Sequence, residues 1–172
     1  MRAERSDNDA SRRAEARLGG GVRVSDRPGM RSALNHVAGA VLVNDVSERA
    51  FQLERGGQWD KGKGCDTFGP VGPWLVTPAE LSPLDDVRLW CAVNDRRMQD
   101  ARTSDMIFNC AYLVHYISQF MSLQPGDIIA TGTPPGVGMG MQPPVWLKPG
   151  DTVTCSIDGL GEQRQTVFPS PI

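Results

Sequence analysis

The sequence predicts an α+β fold. Three observations carry that reading: short β-type runs separated by Pro, Gly, Asp and Asn, one long amphipathic helix among them, and no internal repeat of solenoid length. The chain has 172 residues, is 40% hydrophobic and carries a formal net charge of −2, which suits one globular domain with its own core.

The elements follow in order. Residues 1–32 are Arg-rich, contain Gly19-Gly20-Gly21 and show neither a helical period nor a clean alternation, so they are expected to pack loosely outside a domain spanning 33–172. AGAVLVND, ending at Asp45, reads as a mostly buried strand, and Ser47 to Leu53 has the composition of a short helix. GGQWDKGKGCDTFGPVGP is dense in glycine and proline, which fits an ordered loop whose backbone can approach a ligand. WLVTP, VRLWCAV, IIATG and TVTCSI are β-type runs. Between the second and third of these, Met106, Ile107, Cys110, Leu113, Val114, Ile117, Phe120 and Met121 recur at helical spacing and predict a helix over about 104–121. Ser104 would cap it, Asp105 would suit its N-terminal dipole, and Pro125-Gly126 would stop the element.

Composition also excludes function classes. The near-neutral charge and a pI near 5.7 leave no basic footprint for nucleic acid. No apolar run approaches the roughly 20 residues a bilayer helix needs, and MRAERSDNDASRR has no apolar leader core, so a cytoplasmic location is expected. Cys65, Cys91, Cys110 and Cys155 are scattered without metal spacing and read as small apolar filler, with a reactive thiol at Cys65 as the alternative. His115, beside the helix stripe, reads as structural.

Four polar clusters stand at the ends of apolar elements: Asn44-Asp45 with Arg49 and Gln52; Lys61 and Lys63 with Asp66-Thr67; Thr103-Ser104-Asp105; and Thr131-Gly132-Thr133. Polar groups at strand ends beside flexible backbone are where scaffolds place sites. Asp45 follows an apolar run and needs a partner, either a divalent cation or Arg49 one helical turn away. No phosphate-loop or nucleophile-elbow motif is present, and His36 and His115 alone give little support for a Ser-His-Asp or Cys-His triad.

Read together, NDVSERAFQ, GGQWDKGKGCDTFGPVGPWLVT, DMIF and LQPGDIIATGTPPGVGMG resemble the fumarylacetoacetate hydrolase family over about Ala33 to Val167. The wording around the second and fourth strings is most similar to 2,4-diketo-3-deoxy-sugar-acid hydrolases and ureidoglycolate lyases. The resemblance implies a mixed β-sandwich roll, a homodimer, and Mg²⁺ or Mn²⁺ held by carboxylates. It assigns Asp45 to the metal, Lys63 to catalysis, and Arg49, Gln52, Gly132 and Thr133 to a small oxyacid substrate. It implies C–C cleavage of a 2-oxo acid of the 2,4-diketo type with release of pyruvate or a similar acid, or alternatively ureidoglycolate lyase chemistry.

The resemblance also implies a Glu-x-Glu pair of metal ligands and a water-activating His-x-x-Glu pair upstream of Asn44. Neither is written here: Glu15 stands near the first glutamate position, but the second is Arg17, which would repel a cation. A truncated, non-catalytic paralogue that keeps the fold is therefore the competing expectation.

Overall fold

The computed structural model describes residues 12–13, 16–22, 28–81 and 84–169. Three sheets organise them, and every pairing between named strands is antiparallel. The first is a two-residue pairing of β1 (Arg12–Arg13) with β4 (Ser47–Glu48). The second, in spatial order, is β3 (Val37–Asn44), β2 (Ala16–Val22) and β7 (Asp127–Ala130). The third is β6 (Arg96–Arg102), β5 (Arg88–Val93), β8 (Thr152–Ile157) and β9 (Gly161–Thr166). Helices are few and short, α1 (Arg49–Leu53) and α2 (Cys110–Ser118), and the α+β expectation agrees with this architecture.

The main core lies between the second and third sheets. Ala40 and Leu42 of β3 meet Leu89 and Cys91 of β5 and Val153, Cys155 and Ile157 of β8, with Val76, Leu147 and Leu160 closing the cluster. Cys91 and Cys155 are directly paired across the strands, with sulfurs 3.4 Å apart; that contact, and burial after it, push the Cys155 thiol far up. A smaller cluster of Ala33, Val114 and Leu123 seats α2 beside Val37 and Ile129. The expectation that cysteines fill space holds for this buried pair.

Four sequence expectations need correction. Residues 1–32 were expected to pack loosely, yet Ala16–Val22 is the central strand of its sheet, with Gly19, Gly20 and Gly21 paired to β3 on one side and β7 on the other. Glycine carries no side-chain pattern, so nothing local announces this strand; two neighbouring ladders specify it. The helix expected over 104–121 runs only over Cys110–Ser118 and is capped by Asn109, whose side chain accepts from Tyr112 N. Ser104 lies instead in a 3-10 turn, Thr103–Asp105, and donates to Asp86. WLVTP is not a strand; Val76 alone bridges to Ala40. Finally β6 and β9, RRMQDAR and GEQRQT, are strands too polar for a run of apolar residues to reveal.

The apolar stripe beyond α2 is correspondingly uncovered. Ile107 is 92% exposed, and Phe108, Tyr116, Phe120 and Met121 are each more than half exposed. Phe108, Tyr112, Tyr116 and Phe120 form a continuous ladder of ring contacts along this face. His115 is structural as expected, with Nδ1 2.8 Å from the Pro28 carbonyl.

Candidate functional site

Strand direction decides from which end of the sheet the first and last polar clusters emerge. Because β3 and β7 both run antiparallel to β2, they run parallel to each other. Their C-terminal ends therefore leave the sheet at the same end, on opposite sides of β2. β3 leads into Asp45, and β7 leads into Thr131-Gly132-Thr133; Ala130 pairs with Gly19 and Asn44 with Ala16 on the same stretch of β2. With one strand between them, the two exits are separated by two inter-strand spacings, about 10 Å across the sheet, and by the offset from Ala16 to Gly19, about 10 Å along it.

At the first exit Lys63 is held by two acceptors. Its Nζ donates to Asp45 Oδ2 at 2.8 Å and to Ser47 Oγ at 2.6 Å. Both members of the ion pair are largely shielded, with side-chain exposures of 24% and 16%. Lysine has three N–H groups, and these contacts use two. Lys63 reaches this position because the glycine-rich loop turns through a 3-10 turn, Trp59–Gly62, immediately before it. Gly62 presses against the start of α1: a Cβ there would meet Glu48 O at 2.4 Å and Gln52 Cβ at 2.6 Å. Asp45, for which either a divalent cation or Arg49 is the expected partner, pairs with Lys63.

Arg49 and Gln52 lie on α1, and both are buried. The Glu48 side chain caps this helix by accepting from Ala50 N. Arg49 Nη1 donates to Gln52 Oε1. Gln52 is fully buried, and its Nε2 has no hydrogen-bond partner among the described residues. A buried amide donor left without an acceptor costs about 1–3 kcal/mol, so it marks a place where an oxygen belongs.

At the second exit Thr133 Oγ1 accepts from Gln99 Nε2 at 2.7 Å, and Pro134 O accepts from the same nitrogen at 2.8 Å. Gly132 has φ +104, a conformation open to glycine. Sequence reasoning missed Gln99, which sits in a polar strand with no motif to draw the eye. It also missed Ser47, buried and bonded to the lysine.

Other expected groups resolve into scaffold. Thr103 is buried, accepting from Val87 N and donating to Leu84 O, while Asp105 accepts from Arg102 N. Lys61 donates to the Arg55 carbonyl at 2.7 Å. Glu15 lies outside the described residues. Nor do the described residues fit a divalent cation: none of them forms a group of three His, Cys, Asp or Glu able to hold a metal, and the one carboxylate at the site, Asp45, already carries Lys63.

Residues 15–168 match the family model described as fumarylacetoacetate (FAA) hydrolase, C-terminal. A protein of Burkholderia ambifaria strain MC40-6, named as a hydrolase without further assignment, is 61% identical over 135 residues, 78% of this chain and 48% of that protein. The chain thus spans about half the length of the curated relatives it matches. Among solved structures, a fumarylacetoacetate hydrolase from Exiguobacterium antarcticum superposes with a TM-score of 0.88 at 36% identity, over 93% of this chain and 57% of that one. A maleylpyruvate hydrolase from Sphingobium sp. SYK-6, in complex with manganese(II) and pyruvate, superposes with a TM-score of 0.80 at 30% identity, over 92% of this chain and 55% of that one.

Proposed function

Since the chain belongs to the fumarylacetoacetate hydrolase family, matching its C-terminal domain, we propose that it holds a small 2-oxo acid of the 2,4-diketo type for hydrolytic C–C cleavage. The observation that supports this most is the first exit: a lysine ammonium fixed by Asp45 and Ser47, beside a buried Gln52 donor with no acceptor among the described residues. Together these donors ask for the oxygens of an oxyacid.

The chemistry divides between the two exits. Thr133 and the Gly132 backbone receive the carboxylate end, and Arg49 and Gln52 line the wall around the oxo groups. Water adds to the distal carbonyl carbon, the bond from that carbon to C3 breaks, and its electron pair passes into the enolate of the released 2-oxo acid. The remaining N–H of Lys63 faces the oxygen on which that charge gathers, as a donor in an oxyanion hole does. Protonation at C3 then gives pyruvate or a related acid, and the second product leaves as a carboxylic acid.

Mg²⁺ or Mn²⁺ is part of the reading only as a requirement that the described residues do not complete, so no step here passes through it. A homodimer and a cytoplasmic location belong to the same reading; no helix of the described residues is long and apolar enough to cross a membrane.

The test is incubation of the purified chain with an acylpyruvate, with and without Mn²⁺, while pyruvate is assayed by coupled reduction. Pyruvate release supports the proposal. Turnover of ureidoglycolate instead assigns the lyase alternative. No turnover of either, with or without metal, assigns the chain to a non-catalytic paralogue.

A further inference from the structure

Gln99 is 2% exposed and lies in the middle of β6, opposite Cys91. Its amide nitrogen points out of the sheet at the loop that follows β7, donating to Thr133 Oγ1 and Pro134 O. A carbonyl oxygen only accepts, so the atom facing Pro134 O must be the nitrogen, and both amide protons are committed to this loop. Thr133 in turn receives a hydrogen bond from Gln99, and its own hydroxyl proton is therefore directed to an acceptor other than Gln99.

The neighbouring residue of β6 grips the same loop through its backbone. Gly136 has φ +108, and a Cβ there would stand 1.9 Å from Met98 O and 3.2 Å from Gln99 Cγ. Thus two successive residues of one strand set the height and the rotation of the turn. An apolar residue at 99 would take this donor from both the Pro134 carbonyl and the Thr133 oxygen; with Gln99 in place the Thr133 hydroxyl proton must turn away from the amide.

We infer that Gln99 is a positioning residue that orients Thr133 to donate to the carboxylate of the bound oxyacid. The inference rests on the reading of Thr133 given above, and it adds a residue that never touches substrate.

Binding of pyruvate and of methyl pyruvate, measured by calorimetry with Mn²⁺ present, tests it on the full chain. In Gln99→Met, which keeps length and loses both donors, pyruvate affinity should fall about ten-fold or more while ester affinity changes less, the loss of one hydrogen bond to a charged group. Thr133→Val should show the same loss of acid-over-ester preference without altering β6. The double variant should lose no more than either single one, because both remove a single interaction. Retained preference for the acid in Gln99→Met, or additive losses in the double variant, overturns the inference while leaving the proposed function standing. Failure of the unaltered chain to bind either compound overturns both. Should Gln99→Met unfold, a comparison of Gln99→Glu across pH replaces it: a carboxylate facing Pro134 O should weaken pyruvate binding most when ionised, and a flat ratio to the unaltered chain overturns the inference.

Discussion

Lys63 and Asp45, 18 residues apart, form a 2.8 Å ion pair that joins the glycine-rich loop to the end of β3. The pair sits where the core meets solvent, which gives it more weight than an exposed one and less than a fully buried one.

Replacing Lys63 with Ala separates function from folding. Stability should fall by about 1 kcal/mol, the scale of a partly shielded charged hydrogen bond. Turnover of an acylpyruvate should fall about 100-fold, the loss typical of one oxyanion donor. Urea denaturation and pyruvate release measure the two, and equal activity in the variant removes Lys63 from the mechanism.

Gly62 has no room for a methyl group, since Glu48 O and Gln52 Cβ crowd its Cβ direction. Gly62→Ala should cost about 1–3 kcal/mol through overpacking and should displace Lys63 from Asp45. Gly140 has nothing within 4 Å of its Cβ position, and Gly140→Ala should stay within about 0.5 kcal/mol. Matching denaturation midpoints for the two variants would contradict the contact.

The four thiols should label in a set order. Cys65 is partly exposed and should react first with iodoacetamide. Cys110 should follow slowly, because burial raises its pKa and leaves less thiolate. Cys91 and Cys155 are at most 1% exposed and should label only on unfolding. Mass spectrometry of timed samples reads the order directly.

Two ion pairs flank the β5–β6 ladder. Arg88 grips Asp100 through two hydrogen bonds, and Arg102 donates to Asp86. Each arginine holds its partner's carboxyl below the ordinary range, chiefly by hydrogen bonding. A depressed carboxyl contributes stability above its unfolded pKa, near 3.9, and that contribution is lost as pH falls through the folded value. The double variant Asp86→Asn with Asp100→Asn should therefore be less stable than the unaltered chain near neutral pH and indistinguishable from it in strong acid. A stability gap that persists in acid would refute this assignment.

The sequence made some of this legible and hid the rest for physical reasons. AGAVLVN announces β3 because Gly39 through Asn44 are buried without interruption. Asp45, Lys63 and Thr133 stood out because each follows an apolar run or a glycine turn. That the strands leading to Asp45 and Thr133 finish at the same end of the sheet was not legible, since it depends on β2, whose three central glycines carry no side-chain signal. Gln99 and Gln163 were equally silent. Gln163, buried on β9, donates to Leu42 O and Gly72 O and so ties the glycine-rich loop to β3. Only the fold reveals that these amides face inward. The helix was overextended because Ile107, Phe120 and Met121 keep the helical spacing yet stay exposed.

A single intervening strand separates the two strand ends that lead into Asp45 and Thr131. Loops can flex, but hydrogen-bonded ladders on both flanks of Ala16–Val22 cannot stretch, so the spacing of the β3 and β7 ends is inherited from the sheet. Lengthening the loops that follow those two strands would change what lies between their ends without moving the ends apart.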